Sequence, residues 1–309
     1  MNKNQKIYVA GHRGMIGSIL LEELKNRGYT NTITKISDQV DLRDKSKTMN
    51  FLERAQPDYV FLIAGKVGGI QANINNPASF LYDNIMIASN VIEISRIVGV
   101  KKLLYLGSSC IYPRLSKQPM NEDYLLTGSL EPTNEGYAIG KIAGVKLCEY
   151  YNIQYGCNFI SVIPPNLYGP RDNFSLTNSH VISSLIRKIY EAKLNGNKKV
   201  EIFGTGTARR EFLFNEDLVD GLIFLMNNYN DNQHINIGTN QDITIRELVS
   251  LIKDISEYDG SYFWNKSKPD GMLKKLMDSS KINEMGWFPK TSLTDGLKKT
   301  YNWYIKEQA

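Results

Sequence analysis

Ser108, Cys110, Tyr137 and Lys141 are residues of this chain whose types and spacing could do chemistry together. Tyr137 and Lys141 stand four apart in "YAIGK", so on a helix they share one face. A nearby ammonium lowers a tyrosine pKa, and the phenol can then exchange a proton with a carbonyl oxygen near neutral pH. Ser108 closes the apolar run "KKLLYLGSS", at the strand end where an α/β sheet presents site residues, and its hydroxyl could bond the same oxygen. Alone, Y-x-x-x-K is common by chance, and most copies are surface pairs. Cys110, two residues beyond Ser108, carries two readings: free cysteine usually packs as a small buried hydrophobe, whereas a thiolate is a base.

These residues need elements to hold them. "GHRGMIG" spaces Gly11, Gly14 and Gly17 as G-x-x-G-x-x-G, between a strand-like run (6–11) and a helical one (15–28). Glycine there permits a tight turn and close backbone approach to a diphosphate, which the free N–H groups of the helix N-terminus also attract. The spacing, with a strand before and a helix after, predicts dinucleotide binding. An NAD-type site wants an acid about 20 residues on, at the end of the second strand. That strand, "NTITKIS", carries Lys35, and Arg13 lies in the glycine loop, so a 2′-phosphate and NADP(H) are favoured. Asp38 keeps NAD as the minority reading, and Asp41 is either a nucleotide contact or a cap for the next helix.

Apolar runs at 31–36, 58–65, 101–109 and 159–165 alternate with helical spacing at 79–99 and 135–156. Strands alternating with helices predict right-handed crossovers and a parallel sheet covered on both faces. After residue 171 the pattern loosens into helices at 181–196, 215–229, 244–256 and near 294–306, with strand-like runs at 199–204 and 234–239. We expect a nucleotide-binding domain at 1–170 and a smaller substrate lobe at 171–309, with the region 210–240 able to pack back on the first.

Composition narrows the partners. A net charge of +5 on 309 residues, without a dense basic run interleaved with aromatics, argues against nucleic acid and suits small anions. No run is long and apolar enough to span a bilayer, and the N-terminus has no signal-peptide apolar region. Three cysteines (Cys110, Cys148, Cys157), odd in number and not in ligand pairs, predict a reducing compartment, hence cytoplasmic, with no disulfide framework and no metal site.

Several segments then resemble a known family: "GHRGMIGS", "AGKVGGI", "LGSSCIYP", "LEPTNEGYAIGKIAGVKLCEYY", "PPNLYGPRDNF", "NSHVI", "RREFL" and "KPDG". Over nearly the whole chain it resembles the extended short-chain dehydrogenase/reductases, and within them the GDP-L-fucose synthase subfamily of GDP-4-keto-6-deoxymannose epimerase/reductases. The resemblance implies a doubly wound Rossmann sheet with a smaller mixed α/β C-terminal lobe. It also implies NADP(H), a GDP-sugar substrate and a homodimer, to which helices 79–99 and 135–156 would contribute. It makes Ser108, Tyr137 and Lys141 the reductase triad and gives Cys110 and His180 to epimerisation. Around the cofactor it places Gly11, Arg13, Gly14, Met15, Ile16, Gly17, Lys35, Asp41, Leu42, Ala64 and Gly65. Leu106, Gly107, Tyr137, Lys141, Pro164, Asn166, Leu167 and His180 complete that set. Substrate contacts would be Ser109, Asn166, Lys188, Phe203, Arg210, Asp270 and Lys275. Phe203 stands where tryptophan is common, and Gly65, Gly136, Gly140 and Pro165 also depart, at places expected near the nucleotide or sugar.

The implied chemistry is coherent. A C4 ketone acidifies the protons on C3 and C5, so a base and an acid on opposite faces can epimerise both before reduction. His180 could equally just cap a helix, and Lys188 and Arg210 could be surface cations. "RREF", opening an apolar run, makes Arg210 a candidate diphosphate clamp. Two rivals stand beside the epimerase/reductase. One is a C4-reductase alone, acting on a related GDP-4-keto-6-deoxyhexose or heptose epimerised elsewhere. The other is a non-catalytic NADP-binding regulator, which the intact Tyr137/Lys141 pair disfavours.

Overall fold

A strand covered on both faces has no reason to alternate, and "IYVA" does not: β1 (Ile7–Ala10) is buried along its whole length. The computed structural model describes residues 1–175, 179–268 and 270–308. Asn178 of "NSHVI" and Pro269 of "KPDG" lie outside the described residues. From β1 the chain runs through α1 (Met15–Asn26), β2 (Thr32–Ile33), α2 (Lys45–Ala55), β3 (Tyr59–Leu62) and α3 (Ile70–Asn75). Then come α4 (Pro77–Ile97), β4 (Lys102–Leu106), α5 (Glu135–Tyr155), β5 (Phe159–Ile163), β6 (Asn166–Tyr168), α6 (Val181–Leu194) and β7 (Lys199–Phe203). The remainder is β8 (Arg209–Phe214), α7 (Asn215–Asn228), β9 (Ile235–Asn236), β10 (Asp242–Thr244) and α8 (Ile245–Ser256). It ends with β11 (Ser261–Asn265), β12 (Lys274–Lys275), α9 (Ser280–Glu284) and α10 (Leu293–Gln308).

The order β2-β1-β3-β4-β5-β9 makes one parallel six-stranded sheet. Helices α1 and α7 cover one face, where Leu20 and Leu24 share a core with Leu218 and Leu222. The other face is covered by α4 and α5, through Ala88, Val91, Ile142 and Val145. This is a Rossmann-like doubly wound sheet, and its order reverses between β1 and β3. Ligands bind such sheets outside the carboxyl ends of the strands at that reversal. Within 210–240, α7 packs against α1 and β9 adds the strand beside β5.

The second half is built around β8. Its first three residues pair with β10 antiparallel and its first two with β12 in parallel, and its last three pair with β6. β7 and β11 form a separate parallel pair, and α6, α8 and α10 close a third core through Leu185, Leu248 and Leu297. Glu211 ties these parts together. Fully buried, it accepts from Thr239 N at 2.5 Å, Asn240 N at 2.9 Å and Met277 N at 2.7 Å. Burial pushes its carboxyl up to about 7 against the pull of those three donors.

The structure trims the sequence reading in physical ways. The strand expected at 31–36 is only Thr32–Ile33, the two residues that pair with β1. The run 101–109 ends as a strand at Leu106 and turns sharply at Ser109–Ile111, which lifts Ser108 and Cys110 off the sheet. Helix α2 buries only Thr48 and Leu52, too little to show an apolar stripe. Strands β10 and β12 have three and two residues, too short for any period to be read. Among the described residues no helix is long and apolar enough to cross a membrane.

Candidate active site

Gly11 has φ +90°, and a Cβ there would lie 2.7 Å from the Ala64 backbone nitrogen. A Cβ on Gly17 would lie 2.2 Å from the Gly11 carbonyl oxygen. The loop thus packs flat between β1, the end of β3 and the first turn of α1. Gly14 precedes α1 with no side-chain cap and no acid in the first turn, so the helix N–H groups face a diphosphate uncontested. Met15 and Ile16 offer backbone only, Ile16 being buried in the core. A cleft of about 340 Å³ opens here, lined by Arg13, Lys35, Asp41, Leu42, Ala64 and Gly65 among others. Asp41 does not cap α2. Asp44 does, accepting from Lys47 N at 3.0 Å, while Asp41 pairs with Arg43 at 2.8 Å. Arg43 and Lys66 also line the cleft and are held by Asp83 at 3.0 and 2.9 Å. Among the described residues Arg13 and Lys35 have no such acid partner, so the free positive charge of the cleft is theirs. This cradle and charge fit NADP(H).

The second cluster joins the end of β4 to α5. Lys141, 3% exposed, donates to the Leu106 carbonyl at 2.9 Å and lies 5.9 Å from the centre of the Tyr137 ring. Gly107 donates to the Val162 carbonyl at 2.8 Å, and a Cβ on it would strike Ile163. Ser109 is buried and its N–H bonds the Pro164 carbonyl at 3.0 Å, so its backbone, not its hydroxyl, fixes the turn. Asn166 is anchored through its amide to the Glu211 carbonyl at 3.0 Å, and Leu167 packs on the core beside it.

Electrostatics here differ from the sequence expectation. Burial, then the charge of Cys110, push the Tyr137 phenol well up, and Ser108 offsets only part of this. Lys141 does not bring it down, because burial lowers the lysine itself to about 8. Tyr137 is therefore a proton donor at neutral pH. Cys110 goes the other way. Burial raises its thiol, but Lys275, Ser108 and Asn134 together bring it below the ordinary value. Its sulfur accepts from Asn134 Nδ2 at 3.1 Å and from Lys275 Nζ at 3.3 Å. His180 occupies the cap position of α6 without a side-chain cap bond. Its Nδ1 lies 4.0 Å from Asp172, which, with Cys110 adding, raises its pKa despite burial.

On the far side, Arg210 donates to the carbonyls of Arg209 and Asp270 at 2.8 and 3.0 Å, and burial lowers its pKa. Asp270 accepts from Thr205 through both carboxylate oxygens, each at 2.8 Å, and so holds a turn. The Phe203 ring is half exposed, with Lys188 Nζ 4.1 Å and Lys268 Nζ 5.6 Å from its centre.

Residues 7–238 match the profile of the "NAD dependent epimerase/dehydratase family". The chain belongs to this family. It is 50% identical over 305 residues to GDP-L-fucose synthase 1 of Arabidopsis thaliana, covering 99% of this chain and 94% of that protein. Among solved structures it resembles a GDP-6-OMe-4-keto-L-xylo-heptose reductase from C. jejuni, with TM-score 0.94, 39% identity and 99% of both chains covered. A GDP-mannoheptose C4 reductase from Campylobacter jejuni with NADP bound gives TM-score 0.92 and 41% identity, again over 99% of both chains.

Within this epimerase/dehydratase family setting, two glycine departures prove to be packing rather than pocket residues. Tyr137 and Lys141 share one face of α5, and the positions before each turn about 100° away from it, toward α4. A Cβ at Gly136 would lie 2.8 Å from the Pro77 carbonyl, and one at Gly140 3.0 Å from Asn84 Cβ. Gly65 alone of the three lines the nucleotide cleft. Asn134, Asp172 and Lys268 escaped the sequence reading. Asn134 had a usable signal, standing one helical turn before Tyr137 where α5 begins. Asp172 and Lys268 had none, because their partners are set by folding.

Proposed function

We propose that the chain is an NADP-dependent oxidoreductase that reduces the C4 ketone of a GDP-4-keto sugar, coupled to epimerisation at C3 and C5, as in GDP-L-fucose synthesis. One observation carries this reading: the Cys110 sulfur, held by Asn134 at 3.1 Å and Lys275 at 3.3 Å, acts on both Tyr137 and His180, and the three proton-bearing groups have their pKa values driven apart. Pairs pushed apart in this way mark out acids and bases. Cys110, lowered, is the base that takes the C–H proton. His180, raised, is the acid that returns one to the other face. The electron pair passes to O4, where Ser108 and Tyr137 meet the oxyanion. Bound NADPH supplies hydride to C4. Tyr137 would give its proton to O4, and Lys141, fixed on Leu106, would hold the nicotinamide ribose. Arg210, Lys188, Phe203 and the turn held by Asp270 form the GDP side. The test is incubation with GDP-4-keto-6-deoxymannose and NADPH in deuterated water. Label at both C3 and C5 of the product is expected, whereas unlabelled reduced product would leave a C4-reductase.

We assign residues 1–170 to the cofactor and 171–309 to the sugar nucleotide, with α7 and β9 serving the first. The cofactor preference rests on Arg13 and Lys35. Replacing both with alanine removes charge-assisted bonds of about 1.5–3 kcal/mol each. We expect the kcat/KM ratio of NADPH to NADH to fall by roughly a hundredfold or more. An unchanged ratio would move the 2′-phosphate elsewhere. Free thiols at Cys110, Cys148 and Cys157 suit the cytoplasm. Tyr82 on α4, with Ile139, Tyr150 and Ile153 on α5, leaves an exposed apolar strip of two packed helices. A homodimer through this strip is expected, and sedimentation equilibrium should give twice the 35.1 kDa chain mass.

A further inference from the structure

Two basic dipeptides meet on neighbouring strands. β12 lies parallel to β8 with Lys274 opposite Arg209 and Lys275 opposite Arg210. Side chains alternate along a strand, so each pair has its own face. Arg209 and Lys274 both bind Asp242, at 2.5 and 3.0 Å, and that pair is neutralised. Lys275 and Arg210 face the other way. Lys275 is 7% exposed, and among the described residues it has no carboxylate partner. Its ammonium instead meets Cys110 Sγ at 3.3 Å, from 165 positions away in the chain. A buried ammonium is costly without a counter-charge. The one group in contact that can become an anion is the Cys110 sulfur.

We propose that Lys275 is a positioning residue for the Cys110 base, holding the sulfur as a thiolate aimed at the substrate carbon, and is not a substrate contact. The inference rests on the epimerase reading above. The groups around Cys110 are Lys275 on β12, Arg210 on β8, Tyr137 and Lys141 on α5, and His180 before α6. Of these cations, only Lys275 is in hydrogen-bond contact with the sulfur. Asn134 supplies a second donor from the other side. The proton balance is simple. The thiolate takes the C–H proton and becomes a thiol, while the C–H electron pair moves into the enolate. Lys275 keeps its proton throughout and lowers the cost of the anionic resting state.

The test measures the thiol directly, without substrate. The full-length enzyme is alkylated with iodoacetamide across a pH series, and peptide mass spectrometry separates Cys110 from Cys148 and Cys157. Cys110 is partly exposed, so the reagent has access. In Lys275→Met and Lys275→Gln the alkylation midpoint should rise by about a unit or more, cutting the rate at pH 7 roughly tenfold. Lys275→Arg, which keeps the charge, should restore much of the wild-type profile. Deuterium exchange should lose kcat in the Met and Gln variants with little change in KM. An unchanged midpoint in both variants, or a rise in KM alone, would overturn the assignment and return Lys275 to substrate binding. Should the wild type wash no deuterium into its substrate while the midpoint still moves, the pairing stands and the epimerase reading falls.

Discussion

Replacing Tyr137 with phenylalanine will cut C4 reduction by about two to four orders of magnitude, the usual scale for a positioned proton donor. The change removes one oxygen and keeps the ring, which packs edge-on to Phe80 at 6.3 Å, so α5 should not shift. What disappears is the phenol that meets Ser108. Reduction places negative charge on O4 as hydride arrives, and that charge must be met by a proton. Burial and the Cys110 charge keep Tyr137 protonated, so the proton is present when needed. Lys141 cannot stand in, because its ammonium is fixed on the Leu106 carbonyl at 2.9 Å. Stopped-flow loss of NADPH absorbance on the natural ketone reads the step. A loss under tenfold would mean that Ser108 or solvent protonates O4, and the triad assignment would fail.

The second large effect belongs to Cys110→Ser. Deuterium exchange at C3 and C5 should vanish, while slow reduction of the unepimerised ketone continues. A serine hydroxyl is too weak an acid to ionise beside Lys275, so the pocket loses its base while keeping nearly the same shape. The loss in exchange should be at least roughly a hundredfold. Because exchange and reduction are read from one product by NMR, the variant separates two steps that the wild type runs together. If label still enters both carbons, the base is another group, and His180 with Asp172 becomes the place to look.

The parts legible in the sequence were those with local causes. Three glycines between a strand and a helix describe the cradle, and a tyrosine and lysine one turn apart describe one face of α5. Apolar runs placed the sheet. What escaped was decided by partners distant in the chain. β12 is two residues long, and nothing in "LKKLM" says which lysine faces Asp242 and which faces a sulfur. The tyrosine pKa was argued from a neighbouring ammonium, but burial acts on both members of that pair and wins. Gly136 and Gly140 looked like pocket variation because they sit next to Tyr137 and Lys141 in sequence. On a helix, adjacency turns a side chain away, and both serve the close approach of α4. Of the two roles open to Asp41, the cap of α2 went to Asp44, while Asp41 lines the nucleotide cleft paired with Arg43.

The clamp made by Glu211 bears on the order in which a growing chain becomes reactive. Residues up to about 240 contain every strand of the six-stranded sheet, the glycine cradle, Tyr137 and Lys141. A chain released from the ribosome to that point holds the parts of a reductase. Cys110 then has Ser108 and Asn134 beside it but not yet its cation. Its ammonium partner arrives with β12, seated against β8 by the bond from Met277 N to Glu211. On the proposed assignment, the carbon-acid step therefore waits for β12, after the parts of the reductase have been synthesised.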